Sequence, residues 1–360
     1  MNTQQIAAMA KNDPTIINLA VGEMDFETAP AILLEVAKIA LSDEESARRY
    51  APIYGLKGLR ELAATDFKRD GLRAHLENTI IGPGAKPLLA AALFAITKPG
   101  DEVLIPKPYY PSYLTACKVL GLKPRIIDGL PTVNDLKKAK VLILNYPCNP
   151  TGLIWDFGKL YLDKNIWVIA DEAYREIVFD RQHQWTSIGA VHKKTITIRS
   201  LSKGHNMAGW RVGYLTAYKW VIKKVVEYLG AVVGCACSIS QKAAIAALKN
   251  GVALLPEQID ELCDRKNLIV NFFRSKGIPT TDPIGGLYAW IDVSQFGLSS
   301  CEMVVHLLKN AKVAVSPGID YGYDSHIRIC FSAVSTEKIK DALKKIENVL
   351  SGGLKNGNKN

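Results

Sequence analysis

The chain has 360 residues, 48% hydrophobic and 22% charged, a globular composition with room for one large domain or two of ordinary size. Its formal net charge of +10 is spread along the sequence without an aromatic-interleaved basic stripe, zinc module or helix-turn-helix signature, which argues for a solvated lysine-rich surface and against nucleic-acid binding. Seven scattered cysteines and six histidines, none at metal-ligand spacing, argue against a disulfide framework and any metal site. The N-terminus MNTQQIAAMAKND lacks the pattern of a secretory signal, and the longest apolar run, LLAAALFAI, is about half a membrane span. A soluble, cytoplasmic protein is expected.

From about residue 55 to 215, the helical patterns GLRELAATDFKRD and KPLLAAALFAITK alternate with the β-rich runs DEVLIPK, KVLILNY, NIWVIADE and KTITIRS. Such alternation predicts strands joined by helical crossovers, hence a largely parallel sheet in an α/β domain. Between about 216 and 275 the pattern turns helical, with VIKKVVEYLGAV, SQKAAIAALKN and a segment beginning near PEQIDEL. GGLYAWIDV, KVAVSPG and HIRICFS then read as strands. STEKIKDALKKIENVL reads as a helix opened by a serine or threonine cap with a glutamate close behind. This change of character predicts a second, smaller α+β domain.

In open parallel sheets ligands bind beyond the carboxyl ends of the strands, and here those ends are polar. KVLILNY runs into Pro147-Cys148-Asn149-Pro150-Thr151-Gly152, NIWVIA into Asp171-Glu172-Ala173-Tyr174, and KTITIR into Ser200-Leu201-Ser202-Lys203. Taken singly, each has an ordinary explanation: a helix cap, a turn, or a flexible loop.

Together they resemble the class I and II aminotransferases, pyridoxal-phosphate enzymes of fold type I similar to aspartate aminotransferase. The resemblance runs through INLAVGEMDFETAP, YAPIYGLKGLREL, GPGAKPLLAAAL, KPYYPSY, NYPCNPTG, DEAYREIVF, SLSKGHNMAGWRVGY, PIGGLYAW, VAVSPG and HIRICFS, in the family's order. It implies a large domain with a mostly parallel seven-stranded sheet between helices, plus a smaller α+β domain. The domains then fall as residues 1–33, an N-terminal segment of the small domain; 34–265, the large cofactor-binding domain; 266–352, the small domain; and 353–360, a frayed tail.

The resemblance also implies roles. Lys203 would form the Schiff base with pyridoxal 5'-phosphate and move the substrate proton, passing through a pyridoxamine intermediate. Asp171 would face the ring nitrogen, Asn149 and Tyr174 the phenolic oxygen, and Tyr110 would stack on the ring. Ser200, Ser202, Arg211 and the backbone of Gly84, Ala85 and Lys86 would hold the phosphate. Tyr50, five residues before Gly55, matches a tyrosine that the family supplies from the neighbouring subunit, implying a homodimer with a shared site. Arg328 would grip the substrate carboxylate, assisted by the backbone near Gly22 and by Asn149.

Departures from the family pattern are Met24, where many relatives have proline, the pair Gly204-His205 after the lysine, and short connections around 128–140 and 152–166. The expected activity is transfer of an amino group between an L-amino acid and a 2-oxo acid. A carbon–sulfur β-lyase, whose N-terminal pattern shares Met-Asp-Phe, and a cyclase or oxidase remain alternatives, because the fold supports each. No residue identifies the substrate side chain.

Overall fold

The structure, a computed structural model, describes residues 1–42, 48–157, 160–180, 185–249 and 254–351. It separates into two compact units: Phe26–Pro147 with Ile154–Leu255, and Met1–Asp25 with Cys148–Leu153 and the chain from Pro256 onward. The larger unit thus starts before residue 34 and ends before 265. The Asn-Pro-Thr-Gly turn belongs to the smaller unit, because the Gly152 carbonyl accepts from the backbone N–H of both Ile284 and Gly285, each at 3.0 Å. The expected tail, 353–360, and part of the short connection 152–166 lie outside the described residues.

The strands are β1 (Ile17–Asn18), β2 (Thr79–Gly82), β3 (Glu102–Lys107), β4 (Lys123–Asp128), β5 (Val141–Asn145), β6 (Trp167–Asp171), β7 (Thr195–Ser200), β8 (Gly213–Thr216), β9 (Tyr288–Asp292), β10 (Val313–Ala314), β11 (Ser316–Pro317) and β12 (His326–Cys330). In the larger unit seven of them form one sheet in the order β2-β8-β7-β6-β5-β3-β4. All run parallel except β8, which is antiparallel to β2 and β7. The central strands VLILN and WVIAD are buried at every position, as a sheet covered on both faces requires.

The pleat divides these side chains between two cores. Ile143, Ile169 and Ile198 pack with the helices Ala85–Ile96 and Lys219–Val232, while Leu142, Leu144, Val168 and Ala170 fill a core on the other face. Within the run LLAAALFAI, helix Ala85–Ile96 buries Leu88, Leu89, Ala91, Ala92, Leu93 and Ile96 while Phe94 faces outward, and each enclosed leucine contributes about 1.5–3 kcal/mol. Thr97 ends this helix by returning its hydroxyl to the Leu93 carbonyl at 2.7 Å. Among the described residues, no helix is long and apolar enough to cross a membrane.

The smaller unit holds an antiparallel sheet, β11-β12-β9, and a parallel pair, β1 with β10. KVAVSPG, expected as one strand, is split: Val313 and Ala314 pair with β1, whereas Ser316 and Pro317 pair with β12. Pro317 has no N–H to donate to a second neighbour, which suits β11 to the sheet edge. Helix Thr336–Ser351 buries Ile339, Ala342, Leu343 and Ile346, one stripe at helical spacing, and the Ser335 hydroxyl caps it by accepting from Lys338 N at 3.4 Å.

Candidate active site

Asp171 closes β6, paired with Ile198 of β7. It is buried, its Oδ2 accepts the Tyr113 hydroxyl at 2.8 Å, and its Oδ1 accepts the Ala173 N–H at 3.2 Å. Burial pushes its carboxyl above the usual carboxylate range, and these two hydrogen bonds only partly offset the shift. A carboxylate enclosed by neutral donors fits a cationic ring nitrogen, which would supply the compensating charge. Tyr113, missed in the sequence reading, lies three residues after Tyr110 in KPYYPSY and meets it edge to face at 5.6 Å.

A second cluster forms where β7, β8 and helix Ala85–Ile96 converge. Ser200 pairs with Gly213, and a side chain at Gly213 would sit 2.9 Å from the carbonyl carbon of Gly84 and 3.0 Å from Ala85 N. That close approach brings Ser200 to the start of the helix. Its hydroxyl lies 2.9 Å from that of Ser202 and accepts the Ser202 N–H at 3.2 Å. Gly84 precedes the helix with φ 97 and no side-chain cap, so the N–H groups of the first turn, Ala85 and Lys86 among them, have no intrahelical acceptor.

Arg211, exposed and itself left-handed at φ 54, donates to the carbonyls of Ala208 at 3.0 Å and Pro83 at 3.3 Å. A Cβ on Gly84 would lie 2.5 Å from its Nη2. Hydroxyls, helix N–H groups and a guanidinium gathered this way suit a phosphate dianion.

Lys203 follows this cluster on the loop after β7, half-buried, its carbonyl accepting from Asn206 N at 3.1 Å. Tyr174, buried, lies in the turn after β6, where Ile177 N donates to its carbonyl at 2.9 Å. Tyr110 is half-buried with the Lys86 ammonium 5.8 Å from its ring centroid. Tyr50 stands apart in character, 97% exposed.

The remaining expected residues gather in the smaller unit. Arg328, buried on β12, donates from Nη1 to Asn149 Oδ1 at 3.0 Å, and from Nη2 to the Ala20 carbonyl at 2.5 Å and the Ser316 hydroxyl at 3.1 Å. Its guanidinium lies 4.1 Å from the Tyr288 ring and 4.9 Å from that of Tyr321. Gly22 touches the same group: a Cβ there would be 1.9 Å from the Tyr288 hydroxyl. This holds one fork in a fixed plane, the geometry that recognises a carboxylate in two places. Tyr288, Tyr321 and Ser316 were not picked out from sequence. Tyr288 lies within the quoted GGLYAW, but nothing local marks it as a ring beneath an arginine three strands later in the sequence.

The family described as aminotransferase class I and II matches residues 14–346. An aspartate aminotransferase of Pyrococcus horikoshii is 32% identical over 360 residues, covering 94% of this chain and 91% of its own length. A probable N-acetyl-LL-diaminopimelate aminotransferase of Bacillus subtilis is 32% identical over 355 residues, covering 92% and 88%. Among solved structures, the aspartate aminotransferase from Thermus thermophilus with maleate matches with a TM-score of 0.86 and 26% identity, over 97% of this chain and 96% of that one. The chain belongs to the class I and II aminotransferases, enzymes that use pyridoxal phosphate to move an amino group between an amino acid and a 2-oxo acid.

Proposed function

We propose that Lys203 is the residue that links the cofactor and carries the substrate α-proton, with Asp171 as the carboxylate that holds the ring nitrogen protonated. The observation that carries this reading is the burial of Asp171 among neutral donors at a strand end. Pyridoxal phosphate, when bound, supplies an electron sink for the substrate α-carbon. The protein's part is then positioning and proton handling.

Ser200, Ser202, Arg211 and the backbone from Gly84 to Lys86 would hold the phosphate, Tyr110 would lie against the ring, and Asn149 and Tyr174 would serve as donors to its phenolic oxygen. Arg328, with Gly22 and Asn149 beside it, takes the substrate α-carboxylate in its fork. Exposed Tyr50 completes the phosphate site of a neighbouring subunit in a homodimer. Seven scattered cysteines, without the spacing of a disulfide framework, accord with a reducing, cytoplasmic location.

The test mixes the cofactor-loaded protein with a panel of L-amino acids, aspartate and aromatic ones included, without an oxo-acid acceptor. The expected result is bleaching of the lysine-linked visible absorption with one equivalent of 2-oxo acid, and complete loss of that absorption and of turnover in Lys203→Ala. A Lys203→Ala protein that kept both would sink the assignment. Sustained release of ammonia or thiol would instead expose a lyase.

A further inference from the structure

Gly204 and His205, directly after Lys203, rest on a buried charged cluster that none of the cofactor contacts uses. A side chain at Gly204 would lie 2.5 Å from Glu176 Cβ, so the loop sits directly upon Glu176. Arg175 pairs with Asp70 at 2.9 Å, and Arg199 with Asp66 at 2.8 Å and Glu172 at 2.8 Å. Glu172 is 0% exposed and Arg199 1%. The Tyr146 hydroxyl donates to Glu172 Oε1 at 2.7 Å. His205, buried alongside, is kept neutral, its pKa pushed down to about 4 by burial.

The strand pleat gives this cluster its place. Ile169 and Ile198 belong to one core, and Asp171 and Ser200, two residues further along each strand, share that face. Glu172 and Arg199, one residue away, fall on the opposite face. Both strand ends that carry cofactor-facing residues therefore have a charged residue directly behind them, and those two charges grip each other.

Burying such a pair costs hydration, and apolar residues of the same volume often serve stability as well. What a forked guanidinium on a carboxylate adds is fixed geometry.

We propose that Glu172 and Arg199 are positioning residues for amino transfer: their ion pair holds Asp171 and the Ser200–Lys203 loop in mutual register from behind the sheet. This rests on the roles assigned above to Lys203 and Asp171.

The experiment compares cofactor-loaded wild type with Glu172→Gln, Glu172→Asp and Tyr146→Phe, reading kcat, KM and the pH titration of the visible absorption well below the melting temperature. Glu172→Gln is expected to lower kcat about 10- to 100-fold with KM changed far less, since small misplacements of reacting groups cost that much. It should also move the midpoint of the visible titration, and Tyr146→Phe should act in the same direction but less. If all variants only melt earlier, with kcat within about twofold of wild type and the midpoint unmoved, the cluster is structural alone and the proposal falls. Should Glu172→Gln fail to fold, Glu172→Asp and Tyr146→Phe decide on the same readouts. Lys203→Ala, measured in parallel, separates the two claims: retention of the visible band there overturns the lysine assignment itself, whereas its loss beside unaffected cluster variants overturns only the positioning role.

Discussion

In the role proposed for it, Asp171 faces a conflict: a carboxyl that must be ionised to hold a protonated ring nitrogen is enclosed where ionisation is costly. Burial raises its pKa in the cofactor-free protein. A raised carboxyl favours folding fully below its unfolded value, and that contribution is lost as pH rises through the folded value. Cofactor-free Asp171→Asn is therefore expected to gain stability relative to cofactor-free wild type, with a gap that opens as pH rises from about 4 towards neutrality. Thermal melts of both proteins across that range check it, and a gap that stays constant or narrows with rising pH contradicts the assignment. The loaded variant should meanwhile lose activity by about 100-fold or more, because a neutral amide cannot oppose a developing charge as a carboxylate does.

Among the elements, helix Ala85–Ile96 does two jobs with one sequence. Its apolar stripe fills the core, and its uncapped first turn faces the Ser200–Gly213 crossing. Gly84 suits this turn, since φ 97 with ψ 170 is a region open to glycine and a Cβ would collide with Arg211. Gly84→Ala is expected to keep the fold but weaken cofactor affinity about tenfold or more, from roughly 1–3 kcal/mol of strain and displacement of the guanidinium. Equilibrium titration of the cofactor-free protein with pyridoxal phosphate measures this; unchanged affinity would mean that Gly84 and Arg211 do not form the phosphate site.

For the whole molecule, the exposed Tyr50 bears on assembly. If it serves a neighbour's site in a twofold dimer, Tyr50→Ala and Lys203→Ala subunits complement each other, because a hybrid dimer keeps one site with both residues intact. Mixing the two after reversible dissociation is expected to raise activity above the sum of the parents. Hybrids that are shown to form yet gain nothing would argue against a shared site.

The chain's own order of residues determined a good deal. Polar groups placed just past apolar β-branched runs marked Asp171 and the Ser200–Lys203 loop, since strand ends are where a parallel sheet exposes backbone and side chains to ligands. The same motifs in the same order identified the family. Other features depended on neighbours distant in sequence. The split of KVAVSPG followed from which strands lay beside it, the transfer of Cys148–Leu153 to the smaller unit from hydrogen bonds to Ile284 and Gly285, and the Tyr113 bond to Asp171 from a helix packing against the sheet. Arg199 and Glu172 read locally as charges beside a site. Only the pleat, which sends alternate residues to opposite faces, and the register between β6 and β7 made them a pair behind it.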